Sequence, residues 1–236
     1  MKRAFDLLAS SAALLVLSPV LLIAASGIKA SSPGPVLYRA HRMGRGGVPF
    51  TMYKLRTMHV AQPGASAITA HGDPRVFRLG KLLRTLKLDE LPQLINVLRG
   101  EMSVVGPRPE AVGIVEQHFG PLDRKMLEAR PGLASPGSIY NYTHGEKLIG
   151  VEDPEGDYLQ HLMPIKNALD VVYAQRASFW YDLRIIARTC GVIASVAVGR
   201  DAFPNPPEME HARRLVAANR QEHGGSPARV DDRAGA

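Results

Sequence analysis

A single cysteine, Cys190, among 236 residues leaves no intrachain disulfide framework and no multi-cysteine zinc site. His41, His59, His71, His118, His144 and His161 show no metal-ligand spacing, and none is assigned a role. Aromatic residues make up only 6% of the chain and do not interleave with its basic residues, so no nucleic-acid partner is expected. The turn Gly44-Arg45-Gly46-Gly47 lacks the Gly-Lys-Ser/Thr ending of a phosphate loop. Ser135 and Ser138 lack a nucleophile-elbow context, which removes serine hydrolase chemistry. Acidic residues are scarce in one stretch: between Tyr38 and Pro109, 12 Lys/Arg stand against 4 Asp/Glu. The rest of the chain is almost neutral, so the formal net charge of +7 comes from this segment. Its partner is expected to be anionic.

What the chain does have is an apolar run at its start. Leu7 to Ile28 is 22 residues without a charge, about 33 Å as a straight helix and close to the thickness of a hydrocarbon core. A cleaved secretory signal fits the basic start and the small residues Ala24-Ala25-Ser26, but the run is long for one and Asp6 is unusual there. A spanning anchor fits the length alone. The third reading is a helix that enters, bends at Ser18-Pro19 and leaves by the same face. Charge and proline favour the last. Lys2 and Arg3 precede the run, and Lys29, Arg39, Arg42 and Arg45 follow it. The positive-inside rule then wants both ends on the cytoplasmic side, which a single span cannot supply. Pro19 removes a helical hydrogen bond near the middle, and Ser18 is placed to satisfy the freed carbonyl. A re-entrant helix hinged at Ser18-Pro19 is the expected form.

Ser31-Ser32-Pro33-Gly34-Pro35 is a break signal, after which Val36–Met43 and Val48–Met58 read as the strands of a hairpin. A small-residue loop follows from His59 to His71. Val76–Lys87 is basic and partly periodic. Leu91, Leu94, Ile95 and Leu98 then recur at helical spacing, with Asp89 in the N-cap position, Pro92 in the first turn and Gly100 at the stop. Met102–Val105 is extended, Ala111–Arg130 helical, and Pro131–Tyr142 a loop. Asp157–Ser178 and the segment opened by Phe179-Trp180-Tyr181 read as helices, the second either interfacial or buried in the core. The expected organisation is a membrane helix over 1–30, a mixed α/β (α+β) catalytic domain over 31–200, and a tail over 201–236. The tail is expected to hold one exposed helix at most, with disorder beyond it.

Asp89-Glu90 is the sharpest pair, because it opens a helix directly after a basic segment. Such a carboxylate is either a structural cap or a nucleophile able to attack phosphorus. Two anions meeting in one site call for a divalent cation, so Mg²⁺ on Asp89 and Glu90 is the expected cofactor. Arg108, held between Pro107 and Pro109, has little backbone freedom to lose on gripping a phosphate with two parallel bonds. Lys54 and Arg56 alternate onto one strand face, Arg84 lies in the basic segment, and Arg75 has Asp73 within reach. All five basic residues are candidate phosphate or nucleotide ligands.

The runs Lys2-Arg3-Ala4-Phe5-Asp6, Ser18-Pro19, Tyr53-Lys54-Leu55-Arg56-Thr57-Met58, Leu88-Asp89-Glu90-Leu91-Pro92-Gln93 and Ser103-Val104-Val105-Gly106-Pro107-Arg108-Pro109 occur in one order. From about Lys2 to Val198 the chain resembles the bacterial sugar transferases, monotopic phosphoglycosyl transferases that act on a polyprenyl phosphate, in their short catalytic-core form. The resemblance implies that Asp89 attacks the β-phosphorus of a nucleoside diphosphate sugar, usually a UDP-sugar, and expels UMP. Polyprenyl phosphate would then collect the phosphosugar, with Glu90 assisting. Lys54, Arg84 and Arg108 would contact phosphates or nucleotide. It implies a re-entrant helix, a place on the cytoplasmic face of the bacterial inner membrane, and a role in exopolysaccharide, capsule, O-antigen or glycoprotein assembly. Two departures stand out: Lys87 where the family commonly has a small hydroxyl residue, and Pro131-Gly132-Leu133-Ala134-Ser135-Pro136-Gly137 where many members carry Pro-Gly-Ile-Thr-Gly. A direct-transfer glycosyltransferase and a non-catalytic membrane scaffold are the competing readings. The sugar and the oligomeric state, a homodimer among the options, are left open.

Overall fold

The computed structural model describes residues 1–59, 73–150 and 152–222. From residue 60 on, the expected loop lies outside the described residues, as does His71; so do residues 223–236 of the expected tail. The fold mixes helices with two small two-stranded sheets, which makes it α+β.

The first helix, α1, runs from Lys2 to Ser31 with Pro19 inside it. Proline has no N–H to offer the carbonyl four residues back. The Ser18 hydroxyl donates to that carbonyl, Leu15 O, at 2.8 Å. Much of the helix middle is exposed, including Leu8, Leu15, Val16, Leu22 and Ile23. Both ends are tied to the rest of the chain. At the start, Lys2 Nζ donates to Val105 O at 3.0 Å and pairs with Asp182. Arg3 donates to Val97 O at 2.6 Å and Leu98 O at 3.0 Å, two carbonyls in the last turn of the helix Gln93–Arg99, where intrahelical partners run out. Asp6 is buried and accepts from Ser103 Oγ and from Val104 N at 3.0 Å. At the other end, Ala24 and Ile28 pack with Leu55, Phe77 and Leu83.

Strands β1 (Leu37–Met43) and β2 (Pro49–Leu55) pair antiparallel in register Tyr38↔Lys54 and Arg42↔Phe50. The glycine turn between them places Gly46 and Gly47 at φ 68° and 76°, a region side chains avoid. The second strand stops at Leu55, short of the expected Met58, which joins Val76 in an isolated bridge. Helix α2 is Arg78–Thr85. A 3₁₀ turn, Leu88–Glu90, precedes α3 (Gln93–Arg99), which ends on Gly100 at φ 86° as expected. Asp89 is therefore not an N-cap. It sits inside the turn, and Pro92 holds the cap position of α3. The expected apolar face is also corrected: the buried residues of α3 are Gln93, Leu94, Asn96 and Val97, while Ile95 is exposed.

Strand β3 (Ser103–Val105) pairs in parallel with β4 (Gly132–Ala134). The segment between them breaks into α4 (Val112–His118), α5 (Pro121–Arg124) and a 3₁₀ turn rather than one helix. The expected loop Pro131–Tyr142 contains β4 and then α6 (Pro136–Thr143), started by the Ser135 side chain accepting from Ser138 N. After the single turn α7 (Pro154–Asp157) and a π-helical turn comes α8 (Met163–Arg176), the central post of the domain. Met163 and all nine residues from Ile165 to Tyr173 are buried. Lys166 pairs with Glu110, Asn167 Nδ2 donates to Asp123 and Asp170 accepts from backbone amides, while Asn167 Oδ1 has no partner among the described residues. Helix α9 (Phe179–Ala197) buries only Asp182 and Ile185 and leaves Trp180 73% exposed, so it is not a core helix. Helix α10 (Met209–Glu222) corrects the expectation of a merely exposed helix: Met209, Ala212 and Val216 join the main core with α8.

Candidate active site

The carboxylates of the 3₁₀ turn, the hairpin and the Pro107-Arg108-Pro109 loop line a cavity of about 1130 Å³, above the ~300–1,000 Å³ usual for small-molecule pockets. Lys54, Arg56, Arg75, Arg84, Asp89, Glu90 and Arg108, predicted from sequence, all line it. They do not stand in equivalent states.

Glu90 is fully engaged. Arg108 grips it with two bonds, NH2 to Oε1 at 2.9 Å and NH1 to Oε2 at 3.2 Å. Lys54 Nζ donates to Oε1 at 3.2 Å, and Gln93 Nε2 to Oε2 at 3.4 Å. Burial opposes the Glu90 charge, but Arg108 and Lys54 outweigh it and hold the carboxyl well below its usual range. Asp89, one residue earlier, is the opposite case. It is equally buried, and its Oδ1 has no hydrogen-bond partner among the described residues. Burial raises its carboxyl above the ordinary value and Glu90 adds to this, against the fields of Lys54, Lys87 and Arg84. Lys54 is pushed down to about 8, chiefly by burial and also by Arg108, with Glu90 pulling the other way.

The remaining basic candidates are held by protein groups. Arg56 is buried and donates to Pro35 O, Ser32 Oγ and Ser32 O at 2.6, 2.8 and 2.7 Å. Its guanidinium ties down the chain leaving α1, and a phosphate would have to displace these bonds. Arg75 pairs with Asp73 at 2.6 Å, as its spacing suggested. Arg84 Nε donates to Thr57 Oγ1 at 2.8 Å. Ser18 and Pro19 lie within α1 and are not among the lining residues.

Three features of the site escape the sequence. Asp170 accepts from Arg108 N at 2.9 Å and Gly137 N at 2.8 Å, so α8 fixes the Arg108 loop from behind. A Cβ on Gly137 would lie 2.5 Å from Lys166 O, which only glycine avoids. Lys87 adopts φ 55° directly before the Leu88–Glu90 turn, with its ammonium 4.1 Å from the Tyr142 ring centroid. Glu110, Lys166 and Tyr158 form a buried polar group on the same cavity, with Tyr158 OH donating to Glu110 at 2.7 Å. No motif marks these residues because their partners lie 33 to 62 positions away. Among the described residues no three His, Cys, Asp or Glu side chains converge as a metal cluster.

A family model described as bacterial sugar transferase matches residues 1–196. The chain belongs to the bacterial sugar transferase family. A UDP-glucose:undecaprenyl-phosphate glucose-1-phosphate transferase of Caulobacter vibrioides is 41% identical over 191 residues, covering 80% of this chain and 67% of that protein. The exopolysaccharide production protein PSS of Rhizobium leguminosarum bv. phaseoli is 49% identical over 207 residues, 85% of this chain and 97% of the relative. A transferase of Escherichia coli K12 named like the first is 39% identical over 192 residues, of which the match covers only 39% of its length. The family match ends before α10, so the packing of that helix on α8 is a feature of this sugar transferase outside the matched region.

Proposed function

We propose that this chain transfers a sugar-1-phosphate from a UDP-sugar to undecaprenyl phosphate through a covalent phosphosugar on Asp89, in bacterial exopolysaccharide synthesis. The observation that carries this reading is the contrast between two adjacent carboxylates: Glu90 saturated by Lys54 and Arg108, Asp89 with an unpartnered oxygen on a cation-lined cavity. In the first step an Asp89 oxygen forms a bond to the β-phosphorus while the bond to the bridging oxygen breaks. UMP departs with that oxygen and its electron pair. In the second step a phosphate oxygen of the lipid attacks the same phosphorus, the acyl-phosphate bond breaks, and the Asp89 carboxylate is restored. No net proton is required. Glu90 holds Lys54 and Arg108 at the reacting phosphates, and Asp170 holds the Arg108 backbone.

Mg²⁺ fits this donor set, because an ion that keeps most of its waters and shares phosphate oxygens needs few protein ligands. Asp89, with the orphaned oxygen, would hold the ion, which would supply screening of the diphosphate charge. Glu90, both of whose oxygens are taken by Arg108 and Lys54, would have to give up one of those pairs to join it.

The membrane part of the reading rests on α1. Its 30 residues would measure about 45 Å if straight, and both ends are bonded to the same domain while the apolar middle is exposed. A helix held this way cannot put one end across a bilayer without the domain following, which favours re-entry from the cytoplasmic face of the inner membrane. The exposed Leu82, Ile95 and Trp180 extend an apolar surface on α2, α3 and α9 that lipid would cover.

Intact-protein mass spectrometry tests the chemistry. Wild type incubated with Mg²⁺ and a panel of UDP-sugars, without lipid, should gain one phosphosugar, and Asp89→Asn should gain none. UMP release that requires undecaprenyl phosphate, with no adduct under any condition, would refute the covalent step.

A further inference from the structure

The reaction proposed above brings three phosphate groups into one cavity, two on the donor and one on the acceptor. Yet the cations predicted from sequence are largely committed to protein acceptors: Lys54 and Arg108 to Glu90, Arg56 to the Ser32–Pro35 backbone, Arg75 to Asp73. Arg42, on the same wall, keeps a buried donor without an acceptor among the described residues. Arg42 lies on β1, and the register Tyr38↔Lys54 with the period of two puts Arg42 on the Lys54 face of the hairpin. It lines the cavity. Its Nε is buried with no hydrogen-bond partner among the described residues.

Arg42 stands among charged groups. Its bridge to Ala111 sets it beside the stretch that carries Arg108 and Glu110. Glu110, the carboxylate in its field, already takes Lys166 and Tyr158 on Oε1. On the other side Arg42 and Lys54 repel, and that repulsion is one of the influences lowering Lys54. A buried guanidinium N–H without an acceptor, held near a second cation, costs free energy that an oxyanion between them would recover.

We propose that Arg42 is a phosphate-binding residue of this cavity, its guanidinium donating to an oxyanion of the donor diphosphate or of the lipid phosphate. The assignment of those ligands rests on the transferase reading; the anion subsite itself rests on the geometry of Arg42. A neutral hydroxyl would satisfy the N–H but leave the repulsion between the two cations standing, which favours the anion.

The test uses the full chain in detergent micelles, with wild type, Arg42→Ala and Arg42→Lys compared. Dissociation constants are measured for inorganic pyrophosphate and for UDP, and KM for undecaprenyl phosphate with whichever UDP-sugar wild type turns over. Arg42→Ala should weaken pyrophosphate and UDP together by tenfold or more if the residue serves the donor. It should raise the lipid KM alone by a similar factor if it serves the acceptor. Arg42→Lys should recover part of the loss, since it keeps the charge and loses the fork. A folded Arg42→Ala protein, with its thermal midpoint at the wild-type value and all three constants within twofold, overturns the proposal. Should Arg42→Ala not fold, Arg42→Gln is judged by the same criteria. Pyrophosphate binding that depends on Arg42 in a protein that turns over no UDP-sugar would support the subsite and refute the transferase reading.

Discussion

Lys54 gives the site a pH signature that can be worked out in advance. Its ammonium is displaced from an ordinary 10.5 to about 8, by burial first, then by the balance of Glu90 against Arg108. A lysine carries its charge below its pKa and loses it above, so phosphate-binding charge disappears on the alkaline side. Each further pH unit removes about tenfold of the charged form, leaving ~1% at pH 10, whereas an unperturbed lysine would still be mostly charged there. On the acid side, the proposed attack by Asp89 requires its ionised form, and burial places its carboxyl above the usual 3.8. The profile of kcat/KM for the UDP-sugar, which reports the free enzyme, should therefore be a bell with its alkaline limb near pH 8. The assay is UMP release in the presence of undecaprenyl phosphate at sub-saturating donor, from pH 5 to 10. Lys54→Arg, charged throughout, should remove the alkaline limb even where its absolute rate is low. Glu90→Gln removes the neighbour that raises Lys54, so its limb should move to lower pH. A wild-type profile flat to pH 10, or an unchanged limb in Lys54→Arg, would refute the reasoning.

Two further outcomes concern the frame around the site. Asp6→Ala strips the acceptor from Ser103 Oγ and Val104 N, both at the buried base of α1. It should cost about 1–3 kcal/mol, read as a lowered thermal midpoint with earlier proteolysis near the N-terminus; full wild-type stability would show that these bonds do not hold the helix. Ending the chain after Arg200 removes Met209 and Val216 from the core and Glu208 from Arg188 and Tyr181. At ~1.5–3 kcal/mol for each large side chain, the loss is about 3–6 kcal/mol, and a midpoint unchanged from the full chain would refute the docking of α10.

The elements that local chemistry determines were legible. The hairpin follows from alternation around a glycine turn, and the end of α3 from Gly100. Ser18 was expected to satisfy a freed carbonyl, and it does so at Leu15. The inward face of α3 was not legible, for a reason that generalises. Periodicity counts leucines as inward and amides as outward. Here Asn96 is fully buried because it bonds Thr51 O and Glu101 and accepts from Tyr53 N, and Gln93 because it reaches Glu90. Once those partners exist, the cost of burying an amide is offset, and Ile95 is left outside. Pro131–Tyr142 failed differently: Ser135 and Pro136 are helix-start residues, but in a stretch rich in Pro, Gly and Ser they read as loop.

The same limit applies to the carboxylate pair. A Leu-Asp-Glu motif offers two acids one position apart, and local chemistry treats them almost alike. The 3₁₀ turn separates them, because successive residues on three-residue turns point about 120° apart. One direction meets the Lys54 and Arg108 cations, and the other leaves Oδ1 buried without a hydrogen-bond donor among the described residues. Glu90 is thereby stabilised as a fixed anion, and a carboxylate with both oxygens in ion pairs is a poor nucleophile toward an incoming phosphorus. Asp89 keeps a poorly solvated oxygen, the feature on which its proposed role as nucleophile rests. The division of labour follows from the turn geometry and the two distant cations, and no residue type in the motif encodes it.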